Sequence, residues 1–474
     1  MIRLFVLVVW VISPFVAAQQ DLPWSRFRGP NGKGIAESGR LPDKIGPNEN
    51  VIWKQSLPRG HSSPALTRTH IFLTAFEGEK LETMCLERST GSIVWRKSVS
   101  RARKSKFHRA NNGASPTPAV DADTVVVFFP EFGMLAYDHG GKERWRVPLG
   151  PFNNLYGMGA SPVIVGDRVF LPCDQQLGSY LICVSKMTGK TLWKVDRQTA
   201  TSGHCTPIVW TPPQGAPQLI LPGSFYLDAY DMASGERIWW VSGLSFEMKS
   251  VPVIHEGVIY INGYGSPMNQ PGNQVEVGTW ETAIAEHDAD KNGEISKKEM
   301  PRSRARSWFS FMDLDADGVL NKREWGYMRD ALRSRNGMLA IKAGGKGDMT
   351  EENVVWSYHR SVPQLPSPIV YGDVLYMLND SGGLIVLFKP ESGEVIVRGR
   401  LEDGLDTYYA SPVAGDGKVY FVGEHGKVSV VKAGGIESVS SSDLGENVYT
   451  TPAIADGRIY LRTVGHLYCF GVTE

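Results

Sequence analysis

Five cysteines in 474 residues are too few and too scattered for a disulfide framework or a metal knuckle. The odd number leaves at least one thiol of Cys85, Cys173, Cys183, Cys205 and Cys469 unpaired. Net charge is also missing, because 50 Lys plus Arg balance 50 Asp plus Glu. The chain as a whole therefore carries no field that would draw it to nucleic acid or to an anionic membrane. One local exception, the basic run Arg101 to Arg109 (RARKSKFHR), reads as a solvated loop. No Gly-x-Ser-x-Gly elbow or His-Glu-x-x-His helix occurs, which removes two local hydrolase signatures. His204 and Cys205 are adjacent, so on a strand their side chains point apart and form no catalytic pair.

Long apolar runs are scarce too. The run Leu4 to Ala18 is short for a bilayer span, and Val16 and Ala18 place small residues before a cut near Gln19. This predicts a signal peptide over 1–18 and a mature protein that is extracytoplasmic (periplasmic or secreted) and not membrane-spanning. No Cys follows the run, so a lipid anchor is not expected.

What is present is a repeat. A Ser/Thr-Pro or equivalent start recurs at Pro64, Pro118, Pro162, Pro207, Pro252, Pro368, Pro412 and Pro452. After each comes a polar turn such as Gly166-Asp167 or Asp456-Gly457, an alternating strand, a third strand such as Leu227 to Asp231, and often a Gly turn with Trp four residues on. Gly91 and Trp95, Gly141 and Trp145, Gly189 and Trp193, and Gly235 and Trp239 show this spacing. The period is about 44 residues once an excess between Pro252 and Pro368 is set aside, a length suited to propeller blades. The last repeat stops after His466 to Phe470, while Asn50 to Trp53 looks like an orphan fourth strand, and pairing the two would close a ring. The expected fold is all-β: an eight-bladed β-propeller of four-stranded antiparallel blades with a small α-helical insertion. The expected organisation is an N-terminal extension over 19–49, propeller over 50–265, an insertion over 266–336, and propeller again over 337–474.

The insertion carries two twelve-residue stretches that put oxygen ligands where a hard divalent cation needs six to eight of them. The first offers Asp288, Asp290, Asn292, the Glu294 carbonyl, Ser296 and Glu299. The second offers Asp313, Asp315, Asp317, the Val319 carbonyl, Asn321 and Glu324. Gly293 and Gly318 take the sharp turn at position 6, and both stretches resemble EF-hand loops, which implies Ca2+. Pro301 lies among the thirteen residues Met300 to Met312 between the loops, so a stunted exit helix and distorted loop pairing are expected. The segment Ala229-x-Asp231-x-x-x-Gly235-x-x-x-Trp239 resembles the tryptophan-docking repeat of quinoprotein-like (PQQ-like) eight-bladed propellers. It is degenerate at Glu391-Ser-Gly393 and Ala433-Gly-Gly435, where no Trp follows.

Residues three before each Pro should line the channel mouth. His61, Ser115, Gly159, His204, Lys249, Leu365, Tyr409 and Tyr449 hold those positions, with Asn111, Asn112, Tyr156 and Tyr408 nearby. These groups suit a small polar ligand or a protein partner, or hydrogen-bond one another and water around an empty channel. Channel mouth, EF-hand segment and basic run should share one face. The reading is a monomeric calcium-binding propeller acting as a ligand-binding or protein-interaction scaffold. The resemblance also implies an alternative, a quinone-dependent alcohol or sugar dehydrogenase with pyrroloquinoline quinone (PQQ) in the channel. That alternative is not favoured, because the adjacent-cysteine pair of many such enzymes is missing and Asp174 is the one weak candidate for a base.

Overall fold

The computed structural model describes residues 22–37 and 39–472; the signal peptide expected over 1–18 lies outside them. Eight sheets with four antiparallel strands each follow one another along the chain and form an eight-bladed β-propeller. The third blade shows the pattern: Val163–Val165, Arg168–Cys173, Tyr180–Ser185 and Thr191–Asp196 pair in that order. Its inner strands are buried almost throughout because other blades cover both faces, whereas Thr191–Asp196 alternates between half-buried and exposed. Closure is as the sequence suggests. Val51–Ser56 pairs with His466–Gly471, with Trp53 opposite Cys469, so the eighth blade takes its outer strand from the N-terminal side.

Blades are fastened by the tryptophans. Trp53, Trp95, Trp145 and Trp193 each lie against the Gly turn of the following blade and donate the indole N–H to a carbonyl there: Arg88, His139, Lys186 and Met232. A Cβ on Gly91 would stand 2.5 Å from the Trp53 ring, and Gly91 also has a φ of +74°. Glycine is thus required twice, for its backbone and for ring contact. Where the repeat lacks its Trp after Gly393, the sixth blade docks differently: the Tyr376 hydroxyl accepts from the Gly434 amide at 2.6 Å. Trp239 turns to Gln218 of its own blade. There, two residues from the fifth blade, Gly347–Asp348, add a parallel fifth strand to the fourth blade.

Within the fifth blade, Val258–Gly263 pairs directly with Gly337–Lys342, so the intervening chain leaves and returns at adjacent points. That chain holds three α-helices, Trp280–His287, Phe309–Met312 and Lys322–Arg333. The exit from the first loop is a turn rather than a helix, as Pro301 requires. The loops nevertheless pair in the usual way, Ile295 opposite Leu320. The expected distortion does not occur, because this contact needs only two residues per loop and ends before the proline.

The segment before the ring is part of it. Leu66 and Val120 amides donate to the carbonyls of Trp24 and Ser25, Ala414 exchanges bonds with Gly34 and Ala36, and Asn31 bonds both backbone groups of Val209. These partners belong to the innermost strands of the first, second, fourth and seventh blades. Residues 24–36 therefore cross the channel as a plug.

Candidate functional site: a channel cup beside two acidic loops

The innermost strand of every blade starts at its Pro, so the residues just before it converge on the channel axis. There they surround a cavity of about 250 Å³. His61, Tyr156, His204, Lys249, Tyr409 and Tyr449 line it, as do Asn111 and the other positions three before each Pro, and Phe27 of the plug contributes to the lining. Asn112 is not on the wall. It is buried and its side-chain oxygen accepts the Ala114 amide. Tyr408 also turns away, bonding the Gly404 carbonyl in the core of its blade.

One residue before each Pro, a girdle of hydroxyls runs around the cavity. Ser63 donates its amide to Thr117 Oγ1, Thr117 to Ser161, Ser161 to Thr206, Val251 to Ser367, Ser367 to Ser411, Ser411 to Thr451, and Thr451 to Ser63, at 2.9–3.1 Å. The circle breaks once, where Val251 offers no hydroxyl to the Thr206 amide. Val251→Thr is expected to close it and add about 0.5–1.5 kcal/mol. A urea midpoint that stays put or falls would show that the gap is not simply a missing acceptor.

Electrostatics on the wall follow from burial. Desolvation, aided by Arg462, pushes the His61 imidazole down to about 4 against the opposing Ala110 carbonyl, and desolvation with Lys249 pushes His204 down to about 3. Both rings are neutral at neutral pH. His61 stacks on Tyr449 at 4.3 Å, and His204 Nε2 has no partner among the described residues. Lys249 pairs with buried Glu247 at 2.8 Å and lies 4.7 Å above the Tyr156 ring.

The basic run is not a free solvated loop. Arg101 pairs with buried Glu131 at 2.6 Å. Asn111 bonds the Tyr156 and Gly157 carbonyls, and Arg109 reaches to Glu424 and Tyr409 of the seventh blade at 3.0 and 3.2 Å. The run is a strap over the rim of the cup, fixed by ion pairs that local charge counting in the sequence does not show.

The acidic loops adjoin this rim. Tyr156 contacts Phe311 of the insertion (centroids 6.4 Å), Asn153 donates to the Leu314 carbonyl at 3.4 Å, and Phe246 packs on Trp308 at 5.0 Å. Side-chain oxygens of Asp288, Asp290 and Glu299 lie within 4.8 Å of one another, as do those of Asp313, Asp315 and Asp317. Glu299 and Glu324 fold back so that their carboxylates take the Ser296 and Asn321 amides at 2.8 and 3.1 Å. Asn292, Ser296 and Asn321 sit in the same loops. The turn residues Gly293 and Gly318 have φ near +84° and +92°, and Glu294 and Val319 follow them at loop position 7. Asp174, the weak candidate for a base, is sealed in an ion pair with Arg197 at 2.8 Å. All five cysteines are free and buried.

A ring of eight four-stranded blades, several of them docked through an indole on the Gly turn of the next, defines a quinoprotein-like propeller. The family model described as outer membrane protein assembly factor BamB matches residues 43–181 and 346–473, more than half of the chain, and the chain belongs to that family. An EF-hand model matches residues 305–326. Solved structures share the fold: BamB from Moraxella catarrhalis (13% identity, TM-score 0.56, 90% of this chain and 98% of that one); a europium-containing methanol dehydrogenase (9%, 0.52, 96% and 99%); and quinohemoprotein alcohol dehydrogenase from Comamonas testosteroni (11%, 0.51, 97% and 82%). No curated protein sequence matches the chain. No helix among the described residues is long and apolar enough to cross a membrane.

Proposed function

We propose that this protein is an extracytoplasmic, calcium-binding propeller that works as a scaffold, presenting a ligand-binding cup and its rim to a partner. The observation that carries the reading is the meeting of three features at Tyr156. Its carbonyl accepts the His108 amide of the strap, its ring lies on the cup wall, and the same ring touches the EF-hand segment. The plug supports it further by making the channel a pocket open on the rim side. The family's description as an assembly factor fits a surface built for binding. The signal-like N-terminus supports export.

The alternative, a quinone-dependent dehydrogenase, needs a calcium ligand set beside the quinone in the channel. Among the described residues, the side-chain clusters suited to a metal are the two loops of the insertion, outside the cup. This placement favours the scaffold reading over the dehydrogenase. Full-length protein mixed with pyrroloquinoline quinone and calcium is expected to show no dye-linked oxidation of alcohols or sugars. Turnover that saturates with quinone would sink the scaffold reading.

A further inference from the structure

Resting on the cup reading above, we propose that the cup floor is an oxyanion site that takes a phosphate or a carboxylate group on the channel axis. The girdle is the first support. Each of its seven hydroxyl oxygens accepts one backbone N–H, and none donates its own proton to an acceptor among the described residues. All seven line the cup and are only 2–3% exposed. A hydroxyl is one donor and two acceptor sites. With an acceptor site used and the donor idle, these groups form a ring of O–H donors around the channel axis.

Charge decides what belongs there. Arg26 and Arg28 of the plug, on either side of Phe27, are 1% and 0% exposed, and Nε and Nη1 of each lack a partner among the described residues. Their remaining bonds go to neutral oxygens, Asn31 Oδ1 and the Pro368 carbonyl. Arg462 behind His61 is equally buried and bonds only neutral oxygens of Ser62, Thr74 and Pro58. Burial without a carboxylate pushes Arg26 down to about 10 and Arg28 and Arg462 to about 9. Three buried guanidinium groups with no counter-charge are a large uncompensated cost. An anion at the girdle offsets it. A cation bound to the hydroxyl lone pairs would add to it, and a neutral polyol would leave it in place. His204 Nε2, without a partner among the described residues, becomes a donor in its Nε2–H tautomer, and with Lys249, which Glu247 also holds, it completes the site above the positive field of the plug.

The test is calorimetry on the full-length protein at fixed ionic strength, with sodium phosphate and, separately, sodium acetate. Thr117→Val with Thr206→Val keeps shape and removes two O–H donors, together with the acceptors of the Ser63 and Ser161 amides, and is expected to weaken binding tenfold or more. Arg28→Met leaves the girdle intact and is expected to weaken it as well, which keeps the test decisive if the valine variant does not fold. Phosphate binding alone points to a free oxoanion. Acetate binding points to the carboxylate end of a larger ligand. Either outcome, with the variant losses, supports the site. Absence of heat from both anions, or equal heat in wild type and variants, overturns it. If a neutral sugar binds in the cup while neither anion does, the ligand class is wrong while the cup stands. If added potassium binds at the girdle instead, the sign of the field has been misread and the inference falls.

Discussion

Arg197→Met is expected to destabilise the propeller by about 3–5 kcal/mol. Arg197 has all five guanidinium N–H groups in use. Two go to Asp174, one each to Asp228, the Tyr230 hydroxyl and the Pro222 carbonyl, at 2.7–3.2 Å. Its side chain is 1% exposed, and those of Asp174 and Asp228 are 2% and 7% exposed. Methionine fills a similar volume but leaves Asp174 charged, buried and unpaired. Asp228 is less exposed to the change because Arg237 also holds it at 2.8 Å. Removing the partner as well should therefore recover much of the loss: Asp174→Asn with Arg197→Met is expected to be more stable than Arg197→Met alone. Urea denaturation of the wild type and both variants measures this. If the double variant were the weaker of the two, the loss would come from packing rather than from the orphaned carboxylate.

How much of the molecule is legible in the sequence depends on whether a feature repeats. The ring, its count of eight and its closing strand follow from regular spacing and from an orphan strand at each end. The docking tryptophans are equally plain, since Gly and Trp four apart mark where one blade meets the next. The mouth residues three before each Pro follow by counting back from the same landmark. The girdle sits two positions nearer to that landmark, as Ser or Thr before seven of the eight prolines. It passes for a scaffold signature because its hydrogen bonds join different blades, and no local pattern shows a bond between Thr451 and Ser63.

Single-copy features are opaque for the same reason. Trp24 to Gly34 carries two Arg, a Pro and four glycines or asparagines in a short stretch, a composition that signals turns but not their destination. Only the fold shows that it crosses the channel and buries two charges. The strap is similar. Arg109 and Glu424 are 315 positions apart, so the run's excess of positive charge can be counted but not matched. The fifth strand of the fourth blade escapes notice because it is two residues long and comes from the neighbouring blade.

Calcium is expected to raise the stability of the intact protein, by about 2.7 kcal/mol for each site held at a hundred times its dissociation constant. The two loops should not contribute equally. Glu324 is 1% exposed and closes a capping box with Asn321 at the start of the twelve-residue helix Lys322–Arg333. Its carboxylate is thus held in place before any ion arrives, so little ordering remains to oppose binding. Glu299 takes the matching Ala289 and Ser296 amides, but it is more open and lies in a turn that Pro301 prevents from becoming a helix, so its hold is looser. Glu324→Gln removes a bidentate ligand from the better-organised loop and is expected to abolish most of the calcium-induced rise in melting temperature, Glu299→Gln a smaller part. Because Phe311, two residues before Asp313, touches Tyr156 on the cup wall, ion binding should also change ligand affinity in the cup, and by reciprocity cup ligands should change calcium affinity by the same factor. Calorimetry and thermal melts with and without chelator test both parts. An intact protein that gives no calcium heat would end the metal assignment, and a full melting shift retained in Glu324→Gln would reverse the order of the loops.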